Sequence, residues 1–125
     1  MSEESLANKV VSKMYNHDGF SQWLGIERIH VSEGNCTLRM TVRNDMLNGF
    51  KIAHGGITYS LADSALAFAS NSHGRMAVSV ETSISSYQVP CGLMSGPKAS
   101  TMEIGLSELS PMATVNRRPR LSTTK

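Results

Sequence analysis

"HGGITYSLADSALAFASNS", residues His54–Ser72, is the stretch that decides the fold. Ala62, Ala65, Leu66, Ala67, Phe68 and Ala69 make its body small or apolar almost all round. A helix of that kind is a core helix, so the pattern predicts a buried helix from about Gly56 to Asn71. Ser72-His73-Gly74 closes it with a glycine suited to the left-handed C-terminal position. Two features ask for more than packing. Asp63 stands in the middle, where a buried, unpaired carboxylate costs several kcal/mol or takes up a proton. Either it caps or pairs locally, or it opens into a pocket as a nucleophile or general base. His54-Gly55-Gly56 stands at the start, where the first N–H groups lack intrahelical partners and point outward with the positive helix end. That suits a carbonyl oxygen becoming an oxyanion. The alternative is a tight turn that simply needs glycine.

The flanking sequence supplies the rest of the architecture. Leu6, Val10, Val11, Met14 and Tyr15 recur at helical spacing, predicting an amphipathic helix over 4–16 capped by Ser2 or Ser5. Trp23 to Val31 reads as a first strand, with its start blurred by Gly25. Glu33-Gly34-Asn35 is turn chemistry. Cys36, Leu38, Met40 and Val42 alternate with Thr37, Arg39, Thr41 and Arg43, the cleanest two-residue period in the chain. Asn44 to Ala53 is a loop centred on Asn48-Gly49. Met76 to Tyr87 reads as a second long strand, with Met76, Val78, Val80 and Ile84 on one face. Helix, two strands, buried helix and strand make an α+β domain with an antiparallel sheet.

At 125 residues and 40% hydrophobic content the chain makes one small domain that gains from oligomerisation. A net charge of +2 gives no global pull toward nucleic acid. Cys36 and Cys91 are far apart, as free thiols in a reducing cytosol would be. The acidic Met-Ser-Glu-Glu start and the lack of a long apolar run predict a cytoplasmic protein without a membrane span. Beyond Pro90 the pattern degrades. Met102, Ile104 and Leu106 alternate briefly, and the remainder, ending "NRRPRLSTTK", is polar, basic and broken by Pro97, Pro111 and Pro119. That composition predicts a poorly ordered tail.

Spacing sharpens the helix motif. Gly55 and Asp63 lie eight positions apart, about 12 Å along a helix axis. A reacting carbonyl must sit within roughly 3–3.5 Å of each group acting on it. One chain cannot easily supply both groups to one carbonyl. Two antiparallel helices related by a twofold axis can, which predicts a dimer with two equivalent sites.

"MLNGFKIAHGGITYSLADSALAFASNSHG", Met46–Gly74, resembles the hotdog-fold acyl-CoA thioesterases of the phenylacetate-pathway PaaI subgroup. The resemblance runs from about Met14 through Pro90 and is carried by Asn48, His54-Gly55-Gly56 and Asp63 at the family's spacing. It implies a long central helix wrapped by an antiparallel sheet, and a homodimer or homotetramer with its sites at the dimer interface. Asp63 matches the catalytic carboxylate, which attacks the thioester or activates a water. The Gly55 N–H matches the oxyanion donor, and Asn48 the residue that places thioester or water. His54, Gly56 and Ser79 are the expected substrate-binding positions, His54 as a motif residue whose role is more often structural and Ser79 as a polar position that lines the site in some relatives. Pocket walls are expected from Met46, Leu47, Phe50 and the surroundings of Tyr59. The substrates implied are coenzyme A esters of aromatic or medium-chain acids. No metal, redox cofactor, nucleic acid or membrane partner is implied, coenzyme A being part of the substrate.

After "SVETSISSYQVP" the family pattern of a Gly-Asp turn and three long strands gives way to a different text. The expectation is therefore a hotdog domain over 1–90 and an atypical tail over 91–125, with incomplete C-terminal strands. Read two nucleotides later, the Met112-Ala113 codons permit an Asn-Gly-Asp-like turn. This suggests that the tail is a frameshifted translation, which sequencing the DNA across codon 91 tests. The alternative function is an inactive or non-catalytic hotdog protein. A hotdog dehydratase fits less well, because that chemistry wants a histidine and an acid converging.

Overall fold

The computed structural model describes residues 3–79, 100–107 and 114–119, the last two stretches as paired backbone. Helix α1 spans Leu6–His17, and Ser5 caps it by accepting a hydrogen bond from the Asn8 N–H. A short helix α2, Gly19–Trp23, follows. Strands β1, Glu27–Ser32, and β2, Asn35–Thr41, form a hairpin. Helix α3 spans Gly55–Asn71. Strands β3, Ser100–Ser107, and β4, Thr114–Pro119, complete an antiparallel sheet in the order β1-β2-β3-β4. The α+β class and the long helix against an antiparallel sheet are as expected.

The region read as a strand from Trp23 divides differently. Asp18 starts α2 by accepting from the Ser21 N–H at 3.0 Å. Gly25, at φ 69°, ends it, donating to the Gln22 carbonyl. Trp23 is therefore helical, and the strand begins at Glu27. The hairpin turn is Glu33-Gly34, with Gly34 at φ 70°.

The alternating stretch of β2 forms the sheet side of the core. Cys36, Leu38 and Met40 are buried, as is Val42 just past the strand. They pack with Leu61, Ala65, Phe68 and Ala69 of α3 and with Val11, Leu24 and Ile26. The register sets Met102, Ile104 and Leu106 directly opposite Met40, Leu38 and Cys36. The weak alternating triplet of the tail thus pairs in register with the strong one.

Hydrogen bonds fasten the inner face of α3 at its middle and at its C-terminal end. The hydroxyls of Ser64 and Ser21 lie 2.9 Å apart, and Ser21 also donates to the Asp18 carboxylate. At the far end the Gly34 N–H donates to the buried Ser72 hydroxyl, which donates to the Ala69 carbonyl. The left-handed glycine after the helix is Gly74, at φ 80°.

Three expectations are corrected. The strand predicted from Met76 is not formed over 76–79, where Met76 and Val78 are exposed. Asn71 supplies the physical reason. Its side chain accepts from the Ala77 N–H and donates to the Ala77 carbonyl, both at 2.9 Å, engaging the groups a sheet partner would use. The remainder of that strand and the proposed break at residue 90 lie outside the described residues. Second, parts of the tail read as poorly ordered pair as β3 and β4. β4 is an edge strand of the described sheet, so Pro119 at its end removes no central ladder bond. Third, α3 is not buried all round: Asp63 is exposed, while Leu61, Ala65 and Phe68 on the other face are buried.

Candidate active site

The site is built on the loop between β2 and α3. Arg43 begins it, its guanidinium donating to the Trp23 carbonyl at 2.9 Å and pairing with Asp45 at 3.1 Å. A 3-10 turn, Asn44–Met46, buries Met46. Met46 is therefore part of the core rather than a pocket wall. Leu47 bridges to Ala53, closing a tight loop between them.

Asn48 organises that loop. Its backbone N–H donates to the Ile52 carbonyl at 2.8 Å. Its Oδ1 accepts from the N–H groups of Phe50, at 2.9 Å, and Ile52, at 3.3 Å. The Lys51 N–H donates to the Asn48 carbonyl, and Lys51 takes a left-handed φ of 63° to allow it. With Oδ1 engaged by the loop, the Nδ2 group is the end that can donate to a ligand. Phe50 projects from the loop, 81% exposed.

The His54 N–H then donates to the Met46 carbonyl at 2.9 Å, tying the loop to the first turn of α3. His54 is the N-cap: its Nδ1 accepts from the Gly56 N–H at 2.9 Å. An accepting Nδ1 leaves the ring proton on Nε2. The Ile57 N–H donates to the His54 carbonyl at 3.0 Å. Of these first N–H groups of the helix, that of Gly55 alone has no partner among the described residues.

The two glycines differ in what they permit. A Cβ on Gly56 would lie 3.1 Å from His54 Nδ1, so that glycine serves the cap. A Cβ on Gly55 would meet nothing within 4 Å. The packing of the described residues does not require glycine at 55. The room there is on the outside, where another molecule would approach.

Asp63 lies two turns further along the same outer face, with Tyr59 between them. Among the described residues the Asp63 carboxylate makes no hydrogen bond or ion pair. Within one chain about 12 Å of helix separates it from Gly55. Ser79 is exposed, two residues past Ala77, which is bonded to the last residue of α3. No described bond joins Ser79 to Asp63 or Asn48. The loop and the cap thus link Asn48 to His54, Gly55 and Gly56 through neighbouring backbone, and no described bond links the side chains of Asp63 or Ser79 to them.

The cap made by His54 and the loop-building role of Asn48 Oδ1 were not legible in sequence. The signal was there in part, since asparagine before glycine favours side-chain-closed turns. Thr58, in the first turn of α3, has a buried hydroxyl oxygen without a partner among the described residues. Cys36 is no competing nucleophile. Burial pushes its thiol up to about 12, and the Arg28 guanidinium only partly opposes that rise. No three His, Cys, Asp or Glu side chains among the described residues gather closely enough to hold a metal ion. No helix among them is long and apolar enough to cross a membrane.

No family model matches the chain. The acyl-coenzyme A thioesterase PaaI of Escherichia coli K12 is 48% identical over 65 residues, 52% of this chain and 46% of that protein. The chain spans about half the length of the curated relatives it matches. The solved structure of the E. coli PaaI protein from the phenylacetic acid degradation operon superimposes with a TM-score of 0.71 at 36% identity, covering 80% of this chain and 68% of that one. A mutant of the phenylacetic acid degradation protein PaaI from Thermus thermophilus superimposes with a TM-score of 0.61 at 29% identity, covering 83% and 90%.

Proposed function

This chain belongs to the PaaI family of hotdog-fold thioesterases, and from that premise we propose that it hydrolyses acyl-CoA thioesters to a free acid and coenzyme A. The observation that carries the proposal is on one face of α3: the Gly55 N–H near one end and the Asp63 carboxylate two turns away, neither with a partner among the described residues. The thioester oxygen is held by the Gly55 N–H, where the positive helix end stabilises the charge that develops as the carbonyl becomes tetrahedral. Asn48 Nδ2 positions the thioester or the attacking water. His54 and Gly56 fix the donor in place, and Ser79 adds a polar group to the substrate surface.

Asp63 acts from the second subunit of a homodimer, because its own Gly55 is too far away to share a carbonyl. As a general base it takes a proton from water, whose oxygen bonds to the carbonyl carbon as the C–S bond breaks and the thiolate leaves. As a nucleophile it forms an acyl-aspartate first, which water then cleaves. A burst of coenzyme A ahead of free acid marks the second route. Water is the only co-reactant, so prolonged chelator treatment should leave the rate unchanged.

The acyl class proposed is aromatic or medium-chain, with phenylacetyl-CoA first in the panel because two of the PaaI relatives are proteins of phenylacetic acid degradation. Such esters form inside cells, which places the proposed activity in the cytoplasm. Coenzyme A release, followed with a thiol-trapping dye, tests the proposal directly. Asp63→Ala and Asp63→Asn should both lose turnover. Full turnover in both removes Asp63 from its role, and a folded, active monomer contradicts the shared site.

A further inference from the structure

Asp63 stands beside Ser64 in α3, and the two side chains leave the helix about 100° apart. Asp63 is exposed and Ser64 is buried. Around Ser64 the buried face is made of Leu61 and Phe68 with the small Ala62, Ala65 and Ala69. Apolar contact of that kind is non-directional, whereas a hydrogen bond fixes both a distance and an angle. The hydroxyls of Ser64 and Ser21 lie 2.9 Å apart. Their direction follows from Asp18. An ionised carboxylate only accepts, and Ser21 donates its one hydroxyl proton to it. Ser21 therefore accepts from Ser64, and the three form one chain of bonds from α3 to α2. The far end of that chain is firmly held. Asp18 also accepts from the Ser21 N–H at 3.0 Å. The Arg43 guanidinium donates to the Trp23 carbonyl at 2.9 Å and lies 5.2 Å above the Trp23 ring.

Replacing both partners of a buried hydrogen bond by apolar groups is nearly neutral for stability, so stability alone does not account for two buried serines here. We propose that Ser64, Ser21 and Asp18 are positioning residues that fix the rotation of α3 about its axis and so aim the Asp63 carboxylate. The inference rests on the proposed hydrolysis for what the carboxylate does, and adds what holds it in place. A side chain at the helix surface lies about 5–6 Å from the axis, so a turn of about 10° moves it by about 1 Å. A misplacement of that size costs about 10²-fold in rate.

The double variant Ser21→Ala/Ser64→Ala removes both hydroxyls at once. It should keep a melting temperature close to that of the native chain. It should lower kcat by about 10–100-fold with KM unchanged, the pattern of a contribution made only in the transition state. Two variants of equal shape at position 64 separate the hydroxyl from the packing: Ser64→Thr should keep most of kcat, and Ser64→Val should lose it as the double variant does. Crystal structures of the native chain and the double variant, superposed on β1 and β2, give a reading that needs no substrate. The Asp63 carboxylate should move by about 1 Å between them. Full turnover in the double variant, equal loss in Ser64→Thr and Ser64→Val, or an unmoved Asp63 each overturns the proposal. A native chain that hydrolyses no acyl-CoA in the panel, with Asp63 still displaced in the double variant, removes the hydrolase reading and leaves the positioning role standing.

Discussion

The two faces of α3 differ in how far one chain accounts for them. On the inner face, Leu61, Ala65, Phe68 and Ala69 are buried against β2 and the neighbouring helices. Even the polar Ser64 there is matched, by Ser21 and through it Asp18. On the outer face Gly55 has room it does not need and an N–H with no partner, and Asp63 has no partner either among the described residues. Thr58 apart, the inner side is satisfied among the described residues, whereas the Gly55 N–H and the Asp63 carboxylate on the outer side have no partner there. That asymmetry, rather than the acid alone, separates a site from a core.

The largest expected effect breaks the two faces apart. Asp63→Asn should lower kcat by about 10²–10⁴-fold with the melting temperature held, because the side chain is exposed and has no partner among the described residues. Phe68→Ala should do the reverse, costing about 3–5 kcal/mol of stability while the remaining folded protein keeps its turnover per site. Thermal melts beside the thiol-release assay give both numbers. Loss of stability in Asp63→Asn would show that the outer face is structural after all.

The paired glycines sharpen the same contrast at a smaller scale. Gly55→Ala should leave stability unchanged or slightly raised, since alanine is the better helix former and its Cβ meets nothing. It should still lower kcat/KM by about tenfold, a loss of about 1.4 kcal/mol in transition-state binding, because the methyl group stands where the thioester approaches. Gly56→Ala should instead press on the His54 ring 3.1 Å away and weaken the cap, a loss of about 1 kcal/mol seen in the melt. Equal behaviour of the two variants would erase the distinction between a glycine kept for a ligand and one kept for a turn.

How much of this was legible follows from which residues speak clearly. Cys36, Leu38 and Met40 alternate because one side of β2 is dry, and burial on one face is what a two-residue period records. β3 was visible for the same reason, more faintly. β4 was not, because an edge strand needs no alternation and Val115 is the one aliphatic residue in Thr114–Pro119. α2 was hidden by its length: five residues carry no period, and only the Asp18 cap marks it. Asp63 was placed in a buried helix because alanine-rich sequence favours helix on any face. The spacing of 55 and 63 was legible, since it depends only on helix rise. That His54 holds Gly56 and leaves Gly55 free was not, because it depends on which way a ring turns.

The smallest effect tests how dry the inner side is. Cys36 faces α3 from β2, and burial raises its thiol from 9.0 to about 12. Below pH 9 the thiol is protonated in both the folded and the unfolded chain, so it contributes its full share. Above pH 9 the unfolded chain releases the proton and the folded one keeps it, so the unfolded state binds fewer protons and stability falls as pH rises, until the folded thiol ionises near 12. By pH 10 the loss should reach about 1.4 kcal/mol. Urea melts at pH 8 and pH 10 should therefore show a steeper decline for the native chain than for Cys36→Ala, whatever constant offset the smaller side chain adds. Parallel declines would mean that water reaches Cys36 and that the inner face is less sealed than its packing implies.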